Sequence, residues 1–321
     1  MSEPQVATDG PVLAVSGASR PERAALLAAA ARRLAGRGLD VAVLEADAPE
    51  PWPTRVAAAR SAHDLVLVST DTWLPLPWVW LASDGDPQPP AGPSRPCAVL
   101  SPGPHRLQML VGFLAGWLPT AWRAIPVFGG LLVGGRSRRM GTPKPLLPFR
   151  GATLAEHVAT VLAAHTREVV LLGDGPIPDA LANCPRLADA PGVRGPLAGI
   201  LAALRREPGA CWLVAACDLP LATPAAAAWL LRHRRPGVRA VLPRTGGGVE
   251  PLFAVYEPAA ASALEQLAAE GTAAPHRLAE VAPVATPSPP RRLARCWFNL
   301  NAPEDLAALG KLGAGRRKTR G

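Results

Sequence analysis

Lysine is nearly missing from this chain: of 34 basic residues only three are lysine, and Lys144 is the only one before residue 311. Asparagine is as scarce, with Asn183, Asn299 and Asn301 the full set. The five cysteines (Cys97, Cys184, Cys211, Cys217, Cys296) form no C-x-x-C pair and no zinc-ligand spacing. That excludes a zinc module and points to buried free thiols in a reducing cytosol. The first ten residues lack the basic-then-apolar pattern of a leader. No apolar run reaches the ~20 residues a membrane span needs. The strongest, residues 109–122, is interrupted by Pro119 and stopped by Arg123, and reads as a buried helix of a cytoplasmic protein with no membrane partner. No repeat of fixed period is found.

What remains suits a globular enzyme. The 321 residues are enough for two domains, and 49% hydrophobic against 18% charged composition supports real cores. A net charge of +9 invites a nucleic-acid reading, but five of those charges (Lys311, Arg316, Arg317, Lys318, Arg320) sit in the last eleven residues. A short basic tail is solvated and attracts phosphate without specificity, so no specific nucleic-acid partner is expected.

Apolar runs alternate with helical patterns throughout. In the first part, strands are expected at residues 12–15, 39–44, 64–68, 76–81 and 97–100, with helices at 23–37 and 107–118; Gly38 should cap the first helix. A second run opens with a strand at 128–133. It continues through helix 153–165, strand 168–172, helix 197–206, strand 211–216, helix 224–234, strands 238–242 and 251–256 and helix 258–270; residues 295–300 and a helix over 303–312 close it. Buried strands joined by crossover helices imply parallel sheets. The expected organisation is a flexible N-terminus (1–10), a first α/β domain (11–122), a second (123–312) and a basic tail (313–321).

The densest chemistry is GGLLVGGRSRRMGTPKPLLP, residues 129–148. Glycines after a strand often mark only a turn. Here Gly134 and Gly135 follow a buried strand, where backbone N–H groups can approach an anion, and Arg136, Arg138 and Arg139 add positive charge. Lys144 then arrives between two prolines. A compact ammonium suits a crowded phosphate site better than a planar guanidinium. Its position inside the glycine loop favours function over a chance surface lysine. The spacing is not that of a P-loop.

Asp218 ends an apolar strand before Pro220, placing a carboxylate at the C-terminal edge of a parallel sheet, where ligands of open α/β folds bind. Either it caps a turn or it holds Mg²⁺ together with substrate phosphates. Asp189, in ADAPGVRGPLAG, reads equally well as a turn residue on its own. His157 and His165, eight apart on one predicted helix, are expected to be structural. Asn299 either makes local turn bonds or touches substrate, and Asn301 shares both readings.

The glycine loop, together with GPLAGI (195–200), ACDLP (216–220), EPLFAVY (250–256) and FNLNAPEDL (298–306), resembles the molybdenum cofactor guanylyltransferase (MobA) family over about residues 126–312. The resemblance implies a Rossmann-like nucleotidyltransferase that joins GMP from GTP to the phosphate of Mo-molybdopterin and releases pyrophosphate. It implies nucleotide contacts at Leu132, Val133, Gly134 and Asp189, phosphate contact at Lys144, and GTP and Mg²⁺ binding at Asp218. Lys144 and Asp218 are thereby the catalytic candidates, and Asp218 the metal ligand. The chain departs from the family pattern at Val133 (commonly Ala), Pro143 (often Asp) and Glu250 (usually Gln). It also lacks the asparagine after the next strand, where Leu172 or Gly173 stands with Asp174 nearby.

Residues 17–24, GASRPERA, occupy a P-loop's place in the first domain, but Glu22, Arg23 and Ala24 replace its glycine, lysine and Ser/Thr, and Pro21 removes an N–H. Residues 11–122 resemble, more weakly, the molybdopterin-guanine dinucleotide adapter (MobB), a small P-loop GTPase. The fused domain would be a degenerate adapter that helps engage molybdopterin or an acceptor molybdoenzyme. The competing functions are cytidylyl transfer to the same cofactor and non-catalytic carriage of nucleotide or cofactor.

Overall fold

The structure, a computed structural model, describes residues 10–86, 88–134, 143–300 and 305. Gly135, Arg136, Arg138, Arg139, Asn301, the expected helix over 303–312 (except residue 305), the tail and residues 1–9 lie outside them.

Two α/β layers follow one another. The first comprises β1 (Val12–Gly17), α1 (Arg20–Ala35), β2 (Val41–Glu45), α2 (Trp52–Arg60), β3 (Leu65–Ser69), β4 (Trp78–Leu81), β5 (Ala98–Leu100) and α3 (Arg106–Arg123). Its five strands are all parallel, in the order β2-β3-β1-β4-β5. Gly38 caps α1 as expected: at φ +78° it closes a Schellman turn in which Leu39 N–H reaches the Leu34 carbonyl and Gly38 N–H that of Ala35.

Two expectations need correction here. Residues 52–60, where the sequence pattern assigned no element, form α2, which starts on the N-terminal proline pair around Trp52 and buries Val56. The helix expected to end at residue 118 runs through Pro119 to Arg123. Leu118, Ala121 and Trp122 continue its buried face. The carbonyl that Pro119 leaves unbonded belongs to exposed Ala115 and can meet water. No helix among the described residues is long and apolar enough to cross a membrane.

The second layer comprises β6 (Val127–Leu132), a small hairpin β7 (Pro148–Phe149) and β8 (Ala152–Thr153), α4 (Leu154–Ala163), β9 (Val169–Leu172), β10 (Arg186–Leu187), α5 (Pro196–Arg206), β11 (Cys211–Ala216), α6 (Pro224–Leu231), β12 (Ala240–Val241), the hairpin β13 (Arg244–Thr245) and β14 (Gly248–Val249), β15 (Phe253–Tyr256), α7 (Ala261–Ala269), α8 (Leu278–Val281) and β16 (Val284–Ala285). The main sheet runs β10-β9-β6-β11-β15-β12-β16. β10, β9, β6 and β11 are mutually parallel, while β15 is antiparallel to β11 and β12. This is a Rossmann-like α/β sheet preceded by a smaller α/β layer.

The layers are locked together. Asp64, 1% exposed, accepts from Arg239 Nη1 (2.9 Å) and Gly237 N–H (3.2 Å) across the junction, and its other oxygen accepts from Asp40 N–H (2.8 Å). Buried Arg60 donates to the Gly209 carbonyl at 2.8 Å. A buried carboxylate is tolerable only with such donors.

Candidate active site

The site is built where β6 and β11 end side by side. Their register pairs Leu132 with Ala216, so the next residues of each chain emerge at one sheet edge. Gly130 within β6 leaves room for the neighbouring side chain: a Cβ there would lie 2.8 Å from Leu172 Cδ1. Val133 N–H donates to the Leu172 carbonyl (3.0 Å) and Cys217 N–H to that of Leu132 (3.2 Å), which fixes the strand ends against one another. Val133 is 1% exposed; the larger side chain at the family's alanine position is absorbed by the core.

A cavity of about 520 Å³ opens at this edge. Leu132, Gly134, Lys144, Asp189 and Asp218 all line it, together with Leu172, Cys217, Leu252 and the start of α5 at Gly195–Pro196. Lys144 begins a single 3-10 turn, Lys144–Leu146, flanked by Pro143 and Pro145. Its Nζ donates to Asp218 Oδ2 at 2.7 Å, both side chains being about one-fifth exposed (20% and 19%). The residue singled out as the chain's lone body lysine and the acid 74 positions away thus meet in one cavity.

The Asp218 backbone is held by Leu300 N–H, which donates to its carbonyl at 2.9 Å. The segment after the exposed Phe298 therefore closes on the metal-binding candidate. Asn299 makes no side-chain hydrogen bond among the described residues. Cys217 is not poised as a nucleophile: burial, reinforced by the Asp218 charge and opposed by Lys144, pushes its thiol up to about 12.

Asp189 follows β10, and Ala190 N–H donates to the Ala198 carbonyl (3.1 Å), tying this acid to the first turn of α5. The GPLAGI motif has a packing reason here. A Cβ on Gly199 would lie 2.8 Å from Leu132 Cδ2 and 3.6 Å from Asp189 Oδ1, so only glycine lets the helix sit this close. The α5 N-terminus carries no side-chain cap and no acid in its first turn; Pro196 supplies no N–H and Ala198 N–H is bonded to the Gly195 carbonyl (3.0 Å), so what this end offers the cavity mouth is mainly the positive end of the helix dipole. Burial, then the charge of Asp174, raises the Asp189 carboxyl above the usual range.

His157 Nε2 lies 3.2 Å from the Ala222 carbonyl with its ring edge-on to Phe149, and His165 Nε2 lies 2.9 Å from the Pro224 carbonyl. Both tie α4 to the segment leading into α6. Burial, partly offset by the Ala222 bond, lowers the His157 pKa.

The P-loop position of the first sheet is occupied from within. Arg23, 1% exposed, donates through Nε to Ser69 Oγ (2.8 Å), through Nη1 to the Gly17 carbonyl (2.9 Å) and through Nη2 to Asp71 Oδ1 (2.6 Å). Arg106 beside it bonds Glu22 Oε1 (2.6 Å) and the carbonyls of Ser101 and Ala82. Carbonyls, not N–H groups, face the centre of this turn, so it offers no anion cradle. Sequence reasoning disfavoured phosphate here but missed that the arginine is the plug; the polar Ser69 that ends β3 and Asp71 just beyond it were the signal.

The description "MobA-like NTP transferase domain" matches residues 129–284. A probable molybdenum cofactor guanylyltransferase of Pelotomaculum thermopropionicum is 36% identical over 148 residues, which are 43% of this chain and 67% of that protein. The chain belongs to the MobA-like NTP transferase family. A molybdenum cofactor biosynthesis bifunctional protein of Synechocystis is 31% identical over 191 residues, covering 57% of this chain and about half (54%) of the relative. The solved structure of molybdopterin-guanine dinucleotide biosynthesis protein A from Archaeoglobus fulgidus superposes with TM-score 0.50 at 26% identity, covering 59% of this chain and 99% of that one. As a family member the chain is an enzyme of the nucleotidyltransferase type, and its cavity lies within the matched region.

Proposed function

We propose that this enzyme transfers GMP from GTP to the terminal phosphate of Mo-molybdopterin, forming molybdopterin guanine dinucleotide and pyrophosphate. The observation that carries the proposal is the Lys144–Asp218 pair at 2.7 Å inside a nucleotide-sized cavity at the sheet's C-terminal edge. A phosphate oxygen of the acceptor attacks the α-phosphorus of GTP, and the bond to the bridging oxygen breaks to release pyrophosphate. The nucleophile is already anionic, so no general base is required. Catalysis rests on positioning and on charge stabilisation.

Lys144 leaves the carboxylate for the triphosphate when substrate enters, and the uncapped N-terminus of α5 adds the positive end of its dipole. The donor set fits Mg²⁺: one accessible carboxylate plus substrate phosphates is a common way to hold this ion, and no three-ligand cage is needed. Asp218 would hold Mg²⁺, which neutralises triphosphate charge when bound.

The first sheet is proposed to retain an adapter's place beside the transferase, helping it meet molybdopterin or an acceptor molybdoenzyme. Incubating the full chain with Mg²⁺, molybdopterin and either GTP or CTP tests the reaction. Pyrophosphate and the guanine dinucleotide formed from GTP are expected. Product from CTP alone would move the enzyme to the cytidylyl branch, and no product from either would overturn nucleotidyl transfer.

A further inference from the structure

Lys144 and Asp218 come from two arms of chain 74 positions apart, and a side chain that does not line their cavity touches both arms. The first arm leaves the Lys144 turn, where Leu147 N–H donates to the Lys144 carbonyl (3.2 Å), and runs straight into the β7–β8 hairpin. There Phe149 packs with Leu147, Leu154 and Leu300 in a small cluster of its own, and the Arg150 guanidinium lies 4.9 Å over its ring. The second arm starts at Asp218 and closes as a turn, Ala222 N–H donating to the Leu219 carbonyl (3.1 Å). Leu300 N–H holds the near end of that turn at the Asp218 carbonyl. His157 holds the far end.

His157 stands in the first turn of α4, which a Thr153–Glu156 capping box starts directly after β8, so its place beside the hairpin is set locally. Its Nε2 lies 3.2 Å from the Ala222 carbonyl, and its ring meets Phe149 edge-on at 5.1 Å. A carbonyl only accepts, so Nε2 carries the proton and donates. Burial, opposed by the Ala222 bond and aided by the Arg150 charge, favours the neutral ring, which supplies that one donor without a second cation beside Arg150. His165, on the same helical stretch, makes the same kind of bond but is exposed and reaches Pro224 of α6 rather than the Asp218 turn.

We infer that His157 is a positioning residue for the transfer: by joining Phe149 of one arm to Ala222 of the other, it sets the spacing between Lys144 and Asp218. This rests on the reading of the cavity as the seat of nucleotidyl transfer. Spacing matters because catalysis by placed charges weakens steeply when a group moves by about 1 Å. The test measures pyrophosphate release by the full chain with Mg²⁺, GTP and molybdopterin, in wild type, His157→Phe, His157→Gln and His165→Phe. Active sites are counted by the calorimetric stoichiometry of GTP binding. His157→Phe keeps a ring against Phe149 and removes the donor; His157→Gln removes the ring and keeps an N–H at comparable reach.

In His157→Phe, kcat per GTP-binding site should fall roughly 10-fold while the GTP Kd stays within about 3-fold of wild type. His157→Gln should return kcat per site to within about 3-fold of wild type. His165→Phe should lower the melting temperature at most and leave kcat per site unchanged. A histidine that only stabilised the fold would change the number of sites and not the rate at each. Should His157→Phe not fold, His157→Leu, which also lacks a donor, takes its place with the same expectation. An unmoved kcat per site in the donorless variant overturns the inference, as does an equal fall in His165→Phe, which would mean general loosening of α4. No recovery in His157→Gln overturns it too, because the bond to Ala222 would not be the effective contact. Absence of transfer in wild type would bring down the reaction itself and this inference with it, an outcome distinct from the others.

Discussion

After β1, the turn at Gly17 closes around the guanidinium of Arg23, whose donors end on Ser69, Asp71 and backbone carbonyls. After β6, the equivalent edge of the second sheet opens into a 520 Å³ cavity with an ammonium–carboxylate pair on its wall. Both are C-terminal edges of parallel strands, where α/β folds bind ligands. The difference lies in who uses the positive charge. An arginine saturated by its own protein leaves nothing for a phosphate. A lysine paired with a carboxylate can exchange that partner for a substrate oxygen at small net cost.

Substitutions at the open edge should produce the largest effects. Lys144→Ala and Asp218→Asn are each expected to lower nucleotidyl transfer by ~100-fold or more, since each removes charge stabilisation at the reacting phosphates. Steady-state pyrophosphate release measures this, and a normal rate in either variant would move the reaction elsewhere. At the closed edge the signature should invert. Arg23→Ala strands Ser69, Asp71 and the Gly17 carbonyl, with a cost of roughly 2–3 kcal/mol read from the urea midpoint. GTP turnover at the folded enzyme should not change. A large loss of turnover would erase the contrast between the two edges.

The junction between the layers is the intermediate case. Asp64→Asn keeps the shape but withdraws the charge facing Arg239, for a loss of about 1–2 kcal/mol in the same assay. Because Asp64 and Arg239 join across the layers, cutting the chain after residue 122 would strip Arg239 of this partner. Asp64→Asn is therefore the sharper probe of whether the first sheet supports the second or only accompanies it.

These effects also sort what the chain's residues disclosed in advance. Most strands of both sheets were legible because their apolar runs end near glycine, aspartate or proline, whereas the two-residue edge strands β10 and β16 were not; the site followed because Lys144 is so conspicuous in an arginine-rich chain. α2 was not legible: its residues, WPTRVAAAR, carry a proline at the second position and little periodic apolar signal. The Asp64–Arg239 pair spans 175 residues and depends on how two sheets dock, which local pattern does not encode. Gly175 looks like an ordinary turn glycine; only the contact with Val133 shows why nothing larger fits.

The smallest effect expected is on stability and belongs to Asp189. Burial and the Asp174 charge raise its carboxyl in the folded enzyme. The folded state therefore holds the proton to higher pH than the unfolded chain does. Ionising the group penalises folding, most fully above the folded-state titration, and the penalty fades as pH falls through it toward the ordinary carboxylate range. Asp189→Asn should accordingly raise the melting temperature slightly at neutral pH, and that gain should shrink in acid. The residue is too exposed for a large change. A melting temperature that falls at neutral pH would mean Asp189 is already paired in the free enzyme. It would then resemble Arg23 of the closed edge more than Lys144 of the open one.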